Sequence, residues 1–349
     1  MPRMSAVRPL ELWTISIPHP RHAGELAARA EAAGWDGIAF TDSQNLTGDV
    51  FAGLALAATA TTRLGLGTGV TNPVTRHPAA TASGIASIQA LSEGRAVLGI
   101  GRGDSALFQI GLEPAPLVTF GPFLRDLRAY LRGEAVKQRG FESRLRWLDK
   151  SLPPVPVDVA ATGPRVIELA ACTADRITFA LGASPERLRW GIAKARAARS
   201  AAGLDPDAIE FGAYVNVAPH QDVAVARELA RGGVGTFAHF SGMAGSSADG
   251  VAPEDRAVFE RIHAHYDRPN HTLGRSRHAA ELDAAFLDRF AVLGPTRSCV
   301  DRLRALVDTG LSKLVLTSAS FDADREQAQV SRALLEREVL PALRASAGT

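Results

Sequence analysis

The residues in this chain best suited to chemistry each follow a short apolar run. Asp42 and Ser43 come directly after 37–41, and Asp104 closes the string Gly101-Arg102-Gly103-Asp104. A carboxyl group can carry a proton to or from a reacting atom. Asp42 can equally cap a helix, and Arg102 with Asp104 can equally form an ion pair that holds its own loop. The Ser43 hydroxyl donates or accepts a hydrogen bond but exchanges no proton near neutrality. Thr162-Gly163-Pro164-Arg165 and Gly182-Ala183-Ser184-Pro185 share a second design. Each places proline at the first position of a helix, where backbone N–H groups suit an anion such as phosphate. Either could also be a plain connecting loop, so their joint occurrence carries the reading. His263, His265, His271 and His278 invite a metal, but their spacing matches no compact ligand set, so substrate contact or a solvated face is expected instead.

Two glycine runs, Gly65-Leu66-Gly67-Thr68-Gly69 and Gly99-Ile100-Gly101-Arg102-Gly103, look at first like dinucleotide fingerprints. That fingerprint requires a helix opening directly after the strand. The first run leads instead into Val70-Thr71-Asn72-Pro73, where proline forbids a continuing helix. Glycines at strand ends would rather let the backbone approach a planar ligand, or take unusual dihedrals.

The elements that must position these residues alternate in type. Strands are predicted at 12–17, 37–40, 64–69, 96–100, 155–160, 176–180, 210–217 and 313–317. Alanine-rich helices are predicted at 21–33, 49–61, 78–91, 120–132, 164–173 and 185–202. Strands this apolar are covered on both faces, as in a parallel sheet. Repeated βα units leave a doubly wound sheet or a closed barrel. Eight strands without a linker favour the (β/α)8 TIM barrel, whose chemistry sits at the C-terminal ends of its strands. The stretch 232–277 breaks the pattern with Gly232-Gly233, Gly242-Met243-Ala244-Gly245-Ser246-Ser247 and a cluster of histidines and prolines. It reads as an insertion near the barrel mouth, too short and polar for a core of its own. The whole of 1–349 reads as a single domain.

From Thr68 to Gly101 the chain resembles the luciferase-like superfamily. The motifs are Thr68-Gly69-Val70-Thr71-Asn72-Pro73-Val74-Thr75-Arg76-His77-Pro78, then Ser92-Glu93-Gly94-Arg95, then Val97-Leu98-Gly99-Ile100-Gly101. The likeness is greatest to its deazaflavin (coenzyme F420)-dependent branch, typified by methylenetetrahydromethanopterin reductase. Weaker likeness extends through Ala32-Ala33-Gly34-Trp35-Asp36-Gly37, the loops beginning at Thr162 and Gly182, and Gly294-Pro295-Thr296. The resemblance implies reversible hydride transfer between F420 and an organic substrate at the barrel mouth. It implies a cis peptide at Gly69–Val70, in a bulge that backs the cofactor ring together with Thr71 and Asn72. It also implies cofactor contact at Gly101 and Arg102. The cofactor phosphate would lie on Thr162, Gly163, Pro164 and Arg165, and on Gly182, Ala183 and Ser184. Asp42, Ser43 and Asp104 would stand beside the reacting ring. Relatives usually carry histidine where Ser43 stands, and some carry glutamate in the loop of Asp104. An FMN-dependent monooxygenase on the same barrel is the alternative, and a non-catalytic cofactor-binding barrel is another that Ser43 keeps open.

Composition removes several other classes. Lys plus Arg number 39 and Asp plus Glu 37, with no long basic run, so nucleic acid has no electrostatic footprint here. No window reaches about 18 uninterrupted apolar residues, which argues against a membrane span. The N-terminal stretch has no apolar core of the secretory kind. Cys172 and Cys299 are far apart, and are expected as buried helix-face thiols. A cytoplasmic enzyme with a small-molecule substrate, pairing as a homodimer, is the resulting expectation.

Overall fold

In the computed structural model, which describes residues 9–242 and 251–346, eight parallel strands close into a barrel. The chain opens with β1 (Glu11–Ser16), α1 (Ala23–Ala32), β2 (Gly37–Phe40), α2 (Val50–Ala60), β3 (Gly65–Thr68), α3 (Pro78–Leu91) and β4 (Ala96–Ile100). Then come the short α4 (Ser105–Phe108), α5 (Leu117–Leu131) and an antiparallel hairpin of β5 (Val136–Gln138) and β6 (Phe141–Ser143). The barrel resumes with β7 (Val157–Ala161), α6 (Pro164–Thr173), β8 (Arg176–Phe179), α7 (Pro185–Ala201), β9 (Glu210–Pro219) and α8 (Val223–Ser241). Beyond it lie α9 (Pro253–Ala264), α10 (Arg277–Ala280), α11 (Ala284–Phe290), β10 (Val292–Gly294) and α12 (Thr296–Val307). β11 (Lys313–Thr317), α13 (Arg325–Leu334) and α14 (Leu340–Ser346) complete it.

The predicted strands all join the circle, which runs β1, β2, β3, β4, β7, β8, β9, β11 and back to β1. The three-residue β10 was not foreseen; it pairs with Val217–Pro219, above the part of β9 that pairs with β11.

Side chains alternate across the sheet as a pleat requires. Leu12, Ile38, Leu66, Leu98 and Leu314 face the helices in the main core, whereas Trp13, Ala39, Tyr214 and Val315 fill the lumen. Trp13 accounts for much of the glycine pattern. A Cβ on Gly37, Gly65 or Gly67 would come within 2.3, 2.8 or 3.0 Å of its indole. Gly65 and Gly67 therefore make room for a tryptophan, not for a planar ligand as their sequence suggested.

Below Trp13 the lumen is ionic. Lys313 reaches across to Asp158 at 3.0 Å and lies 3.9 Å from the centre of the Trp13 ring. Thr178 donates to Asp158, and Arg176 bridges Glu11 and Glu210. Burial works against the Asp158 charge, but Lys313 and Arg176 outweigh it and hold its pKa below the usual carboxylate value.

Three other expectations change. The glycine pair Gly232-Gly233 lies inside α8, so the departure from βα alternation begins after Ser241. Of the second glycine run, Met243 to Ser247 lie outside the described residues. The insertion is also not merely polar: Val258, Phe259 and Ile262 of α9 join Leu229, Phe286 and Phe290 in a second apolar cluster. Cys299 is buried, but Cys172 is exposed on α6.

Candidate active site

The strand ends gather around the turn that follows β3. Thr68 Oγ1 donates to Gly99 O, Thr71 N donates to the same oxygen, and Gly101 N donates to Thr71 O. The Gly69–Val70 peptide between them is cis, as the resemblance implied. Close approach explains the glycines here. A Cβ at Gly99 would lie 2.0 Å from Thr68 O, and one at Gly69 would lie 2.9 Å from Ala39 Cβ. Val70 seats its side chain against the lumen cluster, 3.2 Å from where a Gly101 Cβ would be.

Asp42 ties this turn down. Its carboxylate accepts from Thr71 Oγ1 at 2.7 Å, from Gln44 Nε2 at 2.8 Å and from Arg76. It does not cap a helix, a task taken by Asp49 for α2. Arg76, which also reaches Asp49 at 3.0 Å, gives the Thr75-Arg76-His77-Pro78 motif its purpose. The neighbouring motif Ser92-Glu93-Gly94-Arg95 serves packing at the opposite end. Arg95 donates to Leu64 O, Ala58 O and Thr61 O.

The loop after β4 folds back over the turn. Gly103 has φ +88, and a Cβ there would meet Leu107 and Asn72. Asn45 Nδ2 donates to Gln109 O, joining the loops after β2 and β4. The suspected Arg102–Asp104 ion pair is not formed: Arg102 donates to Ala115 O, and Asp104 faces His239 Nε2 at 3.4 Å. His239, on α8, was missed by sequence reasoning. Its signal was the small-residue face Gly232, Gly235 and Thr236, one and two turns earlier on the helix, which admits a closely packed partner. That partner is the segment 266–279. Tyr266 stacks flat on His239 with 3.4 Å between ring centres, and its hydroxyl bonds His271 Nδ1. His278 packs beside Tyr266, whereas His265 pairs with Glu281 on the exposed side. Among the described residues, no three metal-ligating side chains converge.

The two phosphate-type loops prove unequal. Gly163 precedes α6 and Pro164 occupies its first turn. Arg165 from this loop and Arg102 from the β4 loop come close enough to repel. Burial pulls the Arg102 guanidinium below its usual pKa, and the like charge of Arg165 adds to the effect. Neither makes an ion pair among the described residues. In the second loop, Ala183 N donates to Phe290 O, and a Cβ on Gly182 would lie 2.7 Å from the Phe290 ring. Ser184 Oγ accepts from Arg187 N as the cap of α7. Ala183 is thus turned toward the end of α11, and its amide is not free for an anion.

Comparison with known proteins supplies the context for this arrangement. The family model for luciferase-like monooxygenases matches residues 5–313. The chain belongs to the luciferase-like monooxygenase family. It is 30% identical over 296 residues to a 5,10-methylenetetrahydromethanopterin reductase of Methanolobus tindarius, covering 84% of this chain and 88% of the relative. An F420-dependent glucose-6-phosphate dehydrogenase of Beutenbergia cavernae is 28% identical over 351 residues, covering 93% and 94%. Among solved structures, the coenzyme F420-dependent tetrahydromethanopterin reductase of Methanopyrus kandleri aligns with TM-score 0.73 over 96% of this chain and 99% of its own, at 22% identity. That last likeness concerns the fold.

This luciferase-like chain is therefore an oxidoreductase, and its mouth can be tested for fit to a flavin-type cofactor. Thr41 Oγ1, Ser43 Oγ, Asn72 Nδ2, Asp104 Oδ2 and His239 Nδ1 are all buried and all lack a hydrogen-bond partner. Leaving such a group unmet costs about 1–3 kcal/mol each. The five sit on the loops after β2, β3 and β4 and on α8, where a polar ligand at the mouth could meet them. The converging Arg102 and Arg165 suit an anionic tail. The residues present fit the group.

Proposed function

We propose that the enzyme carries out reversible hydride transfer between coenzyme F420 and an organic substrate held at the barrel mouth. The cluster of buried, unpartnered polar atoms around the Gly69–Val70 turn carries this reading. The F420-dependent names of its relatives agree with it. Reduced F420, when bound, supplies a hydride, and its oxidised form accepts one. The chain's own groups do the rest. Gly69, Val70, Thr71 and Asn72 would back the ring, with Asp42 and Arg76 fixing the height of that support. Gly101, Arg102, Thr162, Gly163, Pro164 and Arg165 would hold the phosphate. Gly182 and Ser184 would flank it, with Ala183 committed elsewhere. Thr41 and Ser43 would donate or accept hydrogen bonds, and Asp104 would exchange a proton with the substrate. The α8 helix and the segment 266–279 would exclude water from the same side.

A titration of the purified protein with F420 and, separately, FMN tests the reading by following each chromophore's absorbance. F420 is expected to bind at micromolar concentration or below, and FMN at least 100-fold more weakly. Tighter binding of FMN would favour a monooxygenase. Millimolar binding of both would remove the redox reading of this site.

A further inference from the structure

One imidazole, that of His239 on α8, faces the β4 loop at the mouth. His239 is 5% exposed and presents Nε2 to Asp104 Oδ2 at 3.4 Å, while its Nδ1 has no partner. The distance is just beyond an ordinary hydrogen bond, and such catalytic contacts commonly tighten only when the ligand arrives. The ring is not free to turn. Tyr266 stacks on it at 5° between planes, and His263 lies parallel to it at 5.9 Å between centres. The charged and titratable groups facing it are Asp104 from the β4 loop, His263 from α9, and Tyr266, His271 and His278 from the segment beyond. Both His271 and His278 are pushed down to about 4, chiefly by burial, so neither adds positive charge beside His239 near neutrality. Asp104 is thereby the one oppositely charged neighbour among them.

We propose that His239 is the proton partner of Asp104, positioning and recharging that carboxyl. The inference rests on the function proposed above. In the reducing direction, the carbon of a substrate C=O or C=N bond accepts the hydride with its electron pair. The π pair moves onto the heteroatom, which takes a proton from Asp104 as the His239 imidazolium hands its own proton to that carboxylate. The imidazole left behind regains its proton from solvent. The oxidising direction reverses each transfer. Asp104 touches the substrate, and His239 acts through it.

The first measurement needs no cofactor. In the apo protein, the ring signals of His239 are followed by NMR against pH in wild type and Asp104→Asn. The His239 titration is expected at lower pH in the variant, because the neighbouring negative charge is gone. An unchanged titration overturns the pairing, whatever cofactor the protein binds. The second measurement uses the F420-loaded enzyme. His239→Gln should lower kcat in the reducing direction about 100-fold and displace the alkaline limb of its pH profile, with Kd for F420 within twofold. The exposed neighbour His263→Gln should keep wild-type kcat. Wild-type kcat and pH profile in His239→Gln would refute the role, and should that variant not fold, the apo titration decides. Failure of F420 to bind wild type at all would sink the proposed function, while the apo titration still reads the pair.

Discussion

Arg76 joins carboxylates from two places, Asp42 just after β2 and Asp49 at the start of α2. The two contacts have different weight. The Asp49 side chain is 56% exposed and its pair contributes little, whereas that of Asp42 is 2% exposed. Removing the guanidinium leaves the Asp42 charge buried with only Thr71 and Gln44 as donors. Arg76→Ala is expected to lose about 3 kcal/mol in urea unfolding. Arg76→Lys should recover less than half of that, since one ammonium cannot span both carboxylates as the planar fork does. A second residue-scale expectation concerns His278, which is fully buried. Burial pushes its imidazole down to about 4, with His239 adding and Asp267 opposing, against about 6.5 in the unfolded chain. Between those values the unfolded state binds more protons, so stability is full above pH 6.5 and declines as pH falls toward 4. Unfolding free energies measured across this window should fall less steeply in His278→Gln. An equal slope would show that His278 stays neutral in both states or charged in both.

At the scale of elements, β1, β2 and β3 share one packing problem, because Trp13 occupies space that three side chains would otherwise fill. Gly37→Ala places a Cβ 2.3 Å from the indole and should destabilise by about 1–3 kcal/mol or more. Combined with Trp13→Leu, the added alanine should cost little, so the thermal midpoints of the two single variants and the double should be clearly non-additive. Additive losses would place the strain elsewhere. The same strands show what a sequence reveals of this fold. Their positions were legible because apolar runs bounded by glycine and aspartate repeat at regular intervals. That Asp42, Ser43 and Asp104 lie just past strand ends was legible too, because each follows an apolar run that forms a barrel strand. The occupant of the space beside Gly65 and Gly67 was not, since Trp13 lies about 50 residues away and nothing local links them. His239 was hidden for a related reason. Gly232-Gly233 signals a turn by local propensity, yet a Cβ at Gly232 would lie 2.4 Å from Thr272 O, so close tertiary packing overrides that propensity and keeps the helix running.

For the molecule as a whole, the ion network in the lumen links strands that are not neighbours. Lys313 on β11 reaches Asp158 on β7, with β8 and β9 between them. Lys313→Met should cost about 3–5 kcal/mol in denaturant unfolding, because it strands a buried carboxylate. Replacing both partners with apolar residues should recover most of the loss, and a double variant as weak as the single one would count against this account. Closure of the circle also carries a consequence for the birth of the protein. β1 pairs on one side with β2, but its other neighbour is β11. Translation must proceed from residue 16 to residue 317 before that neighbour exists. At about 5–20 residues per second, β1 spends roughly 15–60 s with one edge exposed. Unpaired edges recruit other strands, so a nascent chain of this protein has reason to meet a chaperone before its last strand leaves the ribosome.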